Sequence, residues 1–351
     1  MSCHRGNVHM SNPPDDTAER NTDIKTNASE EDSDELTYAA AGVDIEASEA
    51  ATAALIDAVG ESAGDYAGLI DIGDRYLALA TDGVGTKLLV AAAMNEYSTI
   101  GIDCIAMNVN DLVAAGVRPV AFVDYLAIDD PDENLTEQIG VGLDTGADIA
   151  DITLIGGETA ILPEVVDGFD LAGTCAGLTP KDGVFTETAN PGDALVGFAS
   201  SGIHSNGLTL ARTAITREYE YTAPCPFDEY DTLGAALLEP TRIYTDLLDP
   251  MHAHDVRTAA HITGGGLRNL ERLGSHRYVI DDPFETPPIF EFVQSAGNVS
   301  DSEMYQTFNM GTGFVCAMSP KNAEMLAEAT EGKIIGQVDT GEGVSIRGLE
   351  L

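Results

Sequence analysis

The stretch Ala78-Leu79-Ala80-Thr81-Asp82-Gly83-Val84-Gly85-Thr86-Lys87-Leu88 decides how the chain is read. An apolar strand runs into a glycine-punctuated turn that carries one carboxylate and one cation, and a further apolar run follows as a helix over residues 88–94. Gly83 and Gly85 let the backbone approach a ligand closely and reach φ > 0. Asp82 can hold a divalent ion, Lys87 can meet phosphate oxygens, and the amides that open the helix add to anion binding. The turn therefore reads as a nucleotide phosphate site with metal, although the same residues also fit a glycine hairpin with a surface lysine. It is neither a Walker loop, because Thr86 separates Gly85 from Lys87, nor a dinucleotide fingerprint, because Leu88 stands where a third glycine is required.

Composition gives Lys87 its weight. The chain has five lysines, and 17 basic residues in all against 59 acidic ones, for a formal charge of −42. A cation kept in such a background is expected to neutralise something specific. The same charge argues against nucleic acid as a partner, since phosphate backbones would be repelled. Acid is spread along the chain, which reads as a solvated acidic surface over an ordinary core. Such a surface suits concentrated salt, where screening removes self-repulsion. The 351 residues allow two domains of roughly 100–200 residues each. Cys3, Cys104, Cys175, Cys225 and Cys316 are widely spaced and form no Cys-x-x-Cys pair, so neither a disulfide framework nor a zinc site is expected. No apolar run approaches the ~20 residues of a membrane span. The expectation is a soluble, cytoplasmic protein without a membrane partner.

Residues 1–37 are polar and acidic with few spaced apolar residues, and read as a disordered arm. A helix is expected over residues 46–59. The apolar spacing of Ile102, Ile105, Ala106, Val109, Leu112 and Val113 is helical and sets Asn108 and Asp111 on a common face. They either cap and solvate the helix or reach metal and phosphate beside Asp82. Strands are expected over residues 119–128, 153–155 and 169–177 and a helix over 135–150, with Gly156-Gly157-Glu158-Thr159 as another glycine turn ending in a carboxylate. A polar connection after Pro180 divides the chain into domains of residues 38–180 and 181–351.

In the second half a strand over residues 194–199 leads into Ser200-Ser201-Gly202-Ile203-His204-Ser205-Asn206-Gly207 and then a helix, an arrangement that presents amides and side chains to an anion. His204 is a candidate polarising or proton-transferring group. Arg242, in Glu239-Pro240-Thr241-Arg242, suits a phosphate or carboxylate. His261-Ile262-Thr263-Gly264-Gly265-Gly266 is a third glycine-rich turn opening a helix, a place for backbone to touch a phosphate. The remaining strands and helices lack a βαβ rhythm, so the fold class is α+β with a mainly antiparallel sheet in the C-terminal domain.

Taken in order, Ala41-Gly42-Val43-Asp44-Ile45, the segment from Thr81 to Lys87, Asn108-Val109-Asn110-Asp111, Gly156 to Thr159, Ser201 to Gly207, Pro240-Thr241-Arg242, Thr263 to Gly266, Ala296-Gly297-Asn298-Val299 and Thr307-Phe308-Asn309-Met310-Gly311 resemble the aminoimidazole ribonucleotide synthetase family. The resemblance spans residues 36–351. It implies a homodimer of two-domain subunits whose N-terminal domains pair through their sheets, and an ATP-dependent ring closure of formylglycinamidine ribonucleotide in purine biosynthesis. It further implies that Asp82, Asp111 and Glu158 hold Mg²⁺ and that Gly83, Gly85, Thr86, Lys87, Asn108, Gly156 and Gly157 surround the phosphates of ATP. On the substrate side it implies His204, Ser205, Asn206 and Gly207 at the amide, with Arg242 and Thr263, Gly264, Gly265 and Gly266 serving the ribose phosphate. Superfamily kinases share the Asp-Gly turn and the Asn-Asp helix, so another ATP-dependent phosphotransferase is the alternative, and a non-catalytic nucleotide-binding subunit a further one. The chain departs from the family in residues 46–70, which contain no basic residue.

Overall fold

Ala78 and Ala80 are buried while Leu79 and Thr81, which alternate with them, are exposed, the period-two signature of a strand with one covered face. In the computed structural model, which describes residues 35–43, 50–51, 53–54 and 66–351, this strand is β2, Arg75–Gly83. The arm expected over residues 1–37 lies outside the described residues up to residue 34, as does most of the helix expected over 46–59. The described residues pack into one body around two sheets.

β2 belongs to a five-stranded sheet with β1 (Gly68–Asp71), β3 (Arg118–Ile128), β4 (Thr153–Ile161) and β5 (Phe169–Pro180), in the order β1-β2-β5-β3-β4. Only β3 and β4 run parallel. β4 continues through Gly156, Gly157, Glu158 and Thr159, so the glycine turn expected there is instead extended strand, paired residue by residue with β3. Pairing with the parallel neighbour outweighs the turn preference of two glycines.

Helix α1 (Lys87–Met94) follows β2, and α2 (Ile100–Ala114) lies on the covered face of the sheet, buried along almost its whole length. Its partner is α3 (Glu133–Ala150), which is capped by Asp132 accepting from the amides of Asn134 and Leu135. α2 and α3 cross at glycines. A Cβ on Gly142 would sit 2.3 Å from the carbonyl oxygen of Ser98, and one on Gly101 2.3 Å from the Leu143 nitrogen. Neither neighbour is a side chain that could swing away, so Gly142→Ala is expected to cost about 1–3 kcal/mol, as overpacked cores do. Denaturant titration measures this, and a wild-type midpoint would show that the helices part without cost.

The second half builds a seven-stranded sheet from β6 (Ala194–Ala199), β7 (Thr258–His261), β8 (Arg277–Ile280), β9 (Thr312–Met318), β10 (Lys333–Asp339), β11 (Gly343–Ile346) and β12 (Leu349–Glu350). Its order is β12-β11-β8-β10-β6-β9-β7, antiparallel except between β8 and β11, as the irregular rhythm of the sequence predicts. Every residue of β9 is buried. Phe314, Cys316 and Met318 enter one apolar cluster and Val315 and Ala317 another, because the strand is covered on both faces. Helices α4 (Leu208–Thr216), α5 (Leu233–Leu237), α6 (Leu248–Ala253), α7 (Pro288–Gly297), α8 (Asp301–Thr307) and α9 (Pro320–Ala329), with a 3₁₀ segment over Gly266–Leu273, complete this half. Among the described residues, no helix is long and apolar enough to cross a membrane.

Candidate active site

Strand alternation sends Asp82 to the side of the sheet covered by α2, and three helical positions separate Asn108 from Asp111 on that helix. Asn108 Nδ2 donates to the Asp82 carbonyl at 3.2 Å and to the Cys104 carbonyl at 2.9 Å. Asp82 keeps contact with solvent, yet its carboxyl is held above the usual carboxylate range by desolvation first and by the charge of Asp111 second, with the Gly83 amide opposing. Two carboxylates that repel each other are a site for a cation. Asp82 and Asp111 fit Mg²⁺, a hard ion that takes one or two carboxylates and leaves its other positions to water and substrate phosphate. Asn108 Oδ1, buried and without a hydrogen-bond partner among the described residues, adds an oxygen donor at the same place.

Glu158 does not join them. Across the sheet it is level with Tyr125, Ala172 and Gly83, one row away from Asp82, and so projects from the opposite face. Three strand spacings, about 14 Å, also separate the two strands. Gly156 and Gly157 share that distance from the turn at Gly83. Among the described residues no group of three metal-ligating side chains forms.

Lys87 is placed differently from the phosphate-facing cation that the sequence predicts. Its side chain is 0% exposed, and Nζ lies 2.9 and 2.8 Å from the two carboxylate oxygens of Asp103, itself fully buried. Asp103 also accepts from the Thr241 amide at 2.8 Å, from Thr241 Oγ1 at 2.6 Å and from Ser205 Oγ at 3.2 Å. What the rare lysine neutralises is thus a carboxylate of its own chain. The knot ties the start of α1 and the first turn of α2 to the second half of the molecule. Thr86 extends the seam, its Oγ1 3.0 Å from that of Thr209 on α4. Gly85, at φ +73°, remains exposed above it.

Two residues without a role in the sequence reading complete the seam. Asn110 Oδ1 accepts from the Tyr244 amide at 2.9 Å and its Nδ2 donates to the Arg242 carbonyl at 2.8 Å. His261, buried at the end of β7, places Nδ1 3.0 Å from Asp111. The signals for Asp103 and His261 were a single acid in the apolar run Ile100-Gly101-Ile102-Asp103-Cys104-Ile105 and a histidine just ahead of a glycine turn. Arg242 spans toward Asp246 and Glu331, at 3.8 and 3.6 Å, and lies over the Tyr244 ring.

The turn from Ser200 to Gly207 and the turn from Thr263 to Gly266 meet. A Cβ on Gly264 would stand 3.6 Å from Asn206 Nδ2. Asn269 holds the second turn by accepting from the Thr263 amide at 2.7 Å and donating to the Gly264 carbonyl at 3.2 Å. Gly265 and Gly266 adopt φ of +99° and +54°, which suits glycine there. His204 is buried in the left-handed region at φ +68°. Burial first, then the neighbouring His261, Lys87 and Arg242, hold its imidazole well below its ordinary value, so it is neutral at pH 7. The cavity of about 550 Å³ lined by Lys181, Phe185, His252 and Arg257 contains none of these groups.

Because the folded state raises the proton affinity of Asp82, stability without metal falls as pH rises through the carboxylate range toward that raised value. Asp82→Asn is therefore expected to melt at or above wild type at pH 7 in constant salt, with the gain shrinking toward pH 4. Mg²⁺ should raise the melting temperature of wild type more than that of the variant. A variant that melts lower at pH 7 would remove the repulsion from the account.

Residues 64–179 match the family model described as AIR synthase related protein, N-terminal domain, and residues 190–348 match AIR synthase related protein, C-terminal domain. A phosphoribosylformylglycinamidine cyclo-ligase of Methanosarcina acetivorans is 48% identical over 326 residues, covering 90% of this chain and 98% of that one. One of Pyrococcus furiosus is 46% identical over 306 residues, covering 82% and 90%. The solved structure of AaThiL complexed with AMPPCP and TMP shares the fold at a TM-score of 0.65 and 18% identity, over 88% of this chain and 96% of that one. With both halves matched and such relatives nearly half identical over most of the chain, it belongs to the AIR synthase family.

Proposed function

We propose that this chain closes the imidazole ring of aminoimidazole ribonucleotide from formylglycinamidine ribonucleotide, consuming ATP. The observation that carries this reading is the meeting of three elements along one seam. The Asp82 and Asp111 carboxylates, the neutral His204 turn and the Thr263 to Gly266 turn are joined by hydrogen bonds through Asp103, Asn110 and His261.

An amide oxygen is a poor leaving group. Moving the γ-phosphoryl of ATP onto it yields ADP and an iminophosphate; the amidine nitrogen then attacks that carbon, and the oxygen departs as phosphate while nitrogen loses a proton. Asp82 and Asp111 would hold Mg²⁺, with Asn108 beside them, and the bound ion would offset the charge of the triphosphate. The glycine turn at Gly83 and Gly85 offers amides to the nucleotide. Ser205, Asn206 and Gly207 orient the amide, His204 serves it as a neutral hydrogen-bonding group, and the turn from Thr263 to Gly266 receives the ribose phosphate through the Gly264 and Gly265 amides, those of Thr263 and Gly266 being taken by Asn269 Oδ1 and the Thr263 carbonyl. Arg242 adds positive charge at that end.

The functional unit in this reading is a homodimer. On the face of the first sheet away from α2, Leu79, Val123 and Tyr125 are exposed at 41%, 37% and 46%. Edge strand β4 is exposed along nearly its whole length and carries Ile155 and Ile161. A contiguous apolar face beside an open strand edge is an association surface, and a second copy of the same sheet matches its chemistry. Glu158 lies on that face. Light scattering tests the pairing, with a monomer mass at assay concentrations counting against it.

The reaction is tested by incubating the chain with formylglycinamidine ribonucleotide, ATP and Mg²⁺ in high salt. Aminoimidazole product with one ADP per ring is expected. ATP consumption without ring closure, or no turnover at all, would overturn the reading.

A further inference from the structure

Asn309, within the segment Thr307-Phe308-Asn309-Met310-Gly311, makes every hydrogen bond that an amide side chain can make. Its Oδ1 accepts from Ser200 Oγ at 2.8 Å and from the Gly311 amide at 2.9 Å. Its Nδ2 donates to the Gly202 carbonyl at 2.9 Å and to the Ile203 carbonyl at 3.1 Å. The side chain is buried, so no water stands in for a lost partner. The Ser200 amide also donates to the Gly311 carbonyl at 3.0 Å, which zips the segment around Asn309 to the turn that ends in His204.

Inside the same turn, the Ser201 amide donates to His204 Nε2 at 3.1 Å. A backbone N–H can only donate, so Nε2 is the bare nitrogen and the proton of the neutral ring sits on Nδ1. That Nδ1 is buried with no hydrogen-bond partner among the described residues, a donor that native proteins seldom leave idle away from a functional site. The turn also holds His204 in a left-handed backbone conformation, uncommon for a residue with a side chain.

We propose that Asn309 is a positioning residue for the formylglycinamidine ribonucleotide half of the site: by clamping the Gly202 and Ile203 carbonyls it holds the Ser201 amide against His204 Nε2, fixing His204 as an Nδ1–H donor. The proposal rests on the cyclo-ligase reading for its substrate and on geometry alone for the tautomer. Neither the Asp82 and Asp111 pair nor the Gly83 to Thr86 turn has a hydrogen bond to Asn309, so the effect is confined to one substrate.

Asn309→Asp is nearly the same shape but turns two donors into a carboxylate facing two carbonyls. It is expected to lower kcat/KM for formylglycinamidine ribonucleotide by about 100-fold, as a misplacement of roughly 1 Å does, while the Kd of a non-hydrolysable ATP analogue stays within about twofold of wild type. Nitrogen NMR of the imidazoles, with His204 assigned by its loss in His204→Gln, should show the Nδ1–H tautomer in wild type and its loss in the variant. Should Asn309→Asp fail to fold, Ser200→Ala removes one hydrogen bond to Oδ1 and is expected to cost about fivefold in the same parameter. Unchanged kinetics toward the ribonucleotide in a folded variant, an equal fall in nucleotide affinity, or an Nε2–H tautomer in wild type overturns the proposal. If wild type turns out not to close the ring, the NMR result still decides the positioning of His204, so the two failures are separable.

Discussion

Lys87→Met should lose about 3–5 kcal/mol of folding stability, because it leaves the Asp103 carboxylate buried and without its cation. Both side chains are 0% exposed and the Nζ to carboxylate distances are 2.8 and 2.9 Å, so water cannot replace the lost charge without opening the seam. A surface lysine at this point in the sequence would cost nearly nothing, since exposed ion pairs are worth ~0–1 kcal/mol. The double variant Lys87→Met with Asp103→Asn should recover part of the loss. The neutral amide keeps an acceptor for Thr241 and Ser205 while the unpaired charge is gone. Chemical denaturation of both variants measures the effect. A single variant within 1 kcal/mol of wild type would mean that the pair is open to solvent. Any fall in turnover would follow from a shifted seam, since Nζ is committed to Asp103 and to the Glu239 carbonyl.

The second large effect is on catalysis. Asp111→Asn should reduce kcat by about 10²–10³-fold, with the fold retained, because asparagine can still meet His261 Nδ1 across the 3.0 Å contact. It removes the one charge that, after desolvation, raises the proton affinity of Asp82, and one of the two carboxylates proposed for the cation. The dependence of rate on Mg²⁺ should move to higher concentration in the same variant. A kcat within twofold of wild type would take Asp111 out of the site. His261→Ala serves as a companion, since it deletes the contact that orients Asp111 and leaves both carboxylates in place.

Much of the fold could be read from residue pattern. The strand ending at Asp82 and Gly83 and the helix carrying Asn108 and Asp111 follow from apolar periodicity, which is local and strong where one face is covered, while the strands at 194–199 and 312–318, buried on both faces, read as short continuous apolar runs. Gly156 to Thr159 shows where locality fails. Two glycines prefer a turn, but β3 offers a full ladder of hydrogen bonds, and only the partner strand reveals that. Glu158 went with them: once the segment is strand, alternation sends its side chain to the face opposite Asp82.

The site divides in the same way. Phosphate and metal call for glycine turns and carboxylates together, so the sequence nominates Asp82, Asp111, His204 and Thr263 to Gly266 as the proposed site. The partner of Lys87 was not legible there. Asp103 stands 16 residues away inside an apolar helix, and Thr241 another 138 residues on. Sequence by itself determined the family, the α+β class and the presence of an ATP-using site, because those rest on local motifs taken in order. Tertiary structure alone decided which charge neutralises which, which face each carboxylate serves and how Asn309 sets the tautomer of His204. Those depend on burial and on contacts between residues distant in the chain, where the low dielectric of the interior gives a pairing its energy.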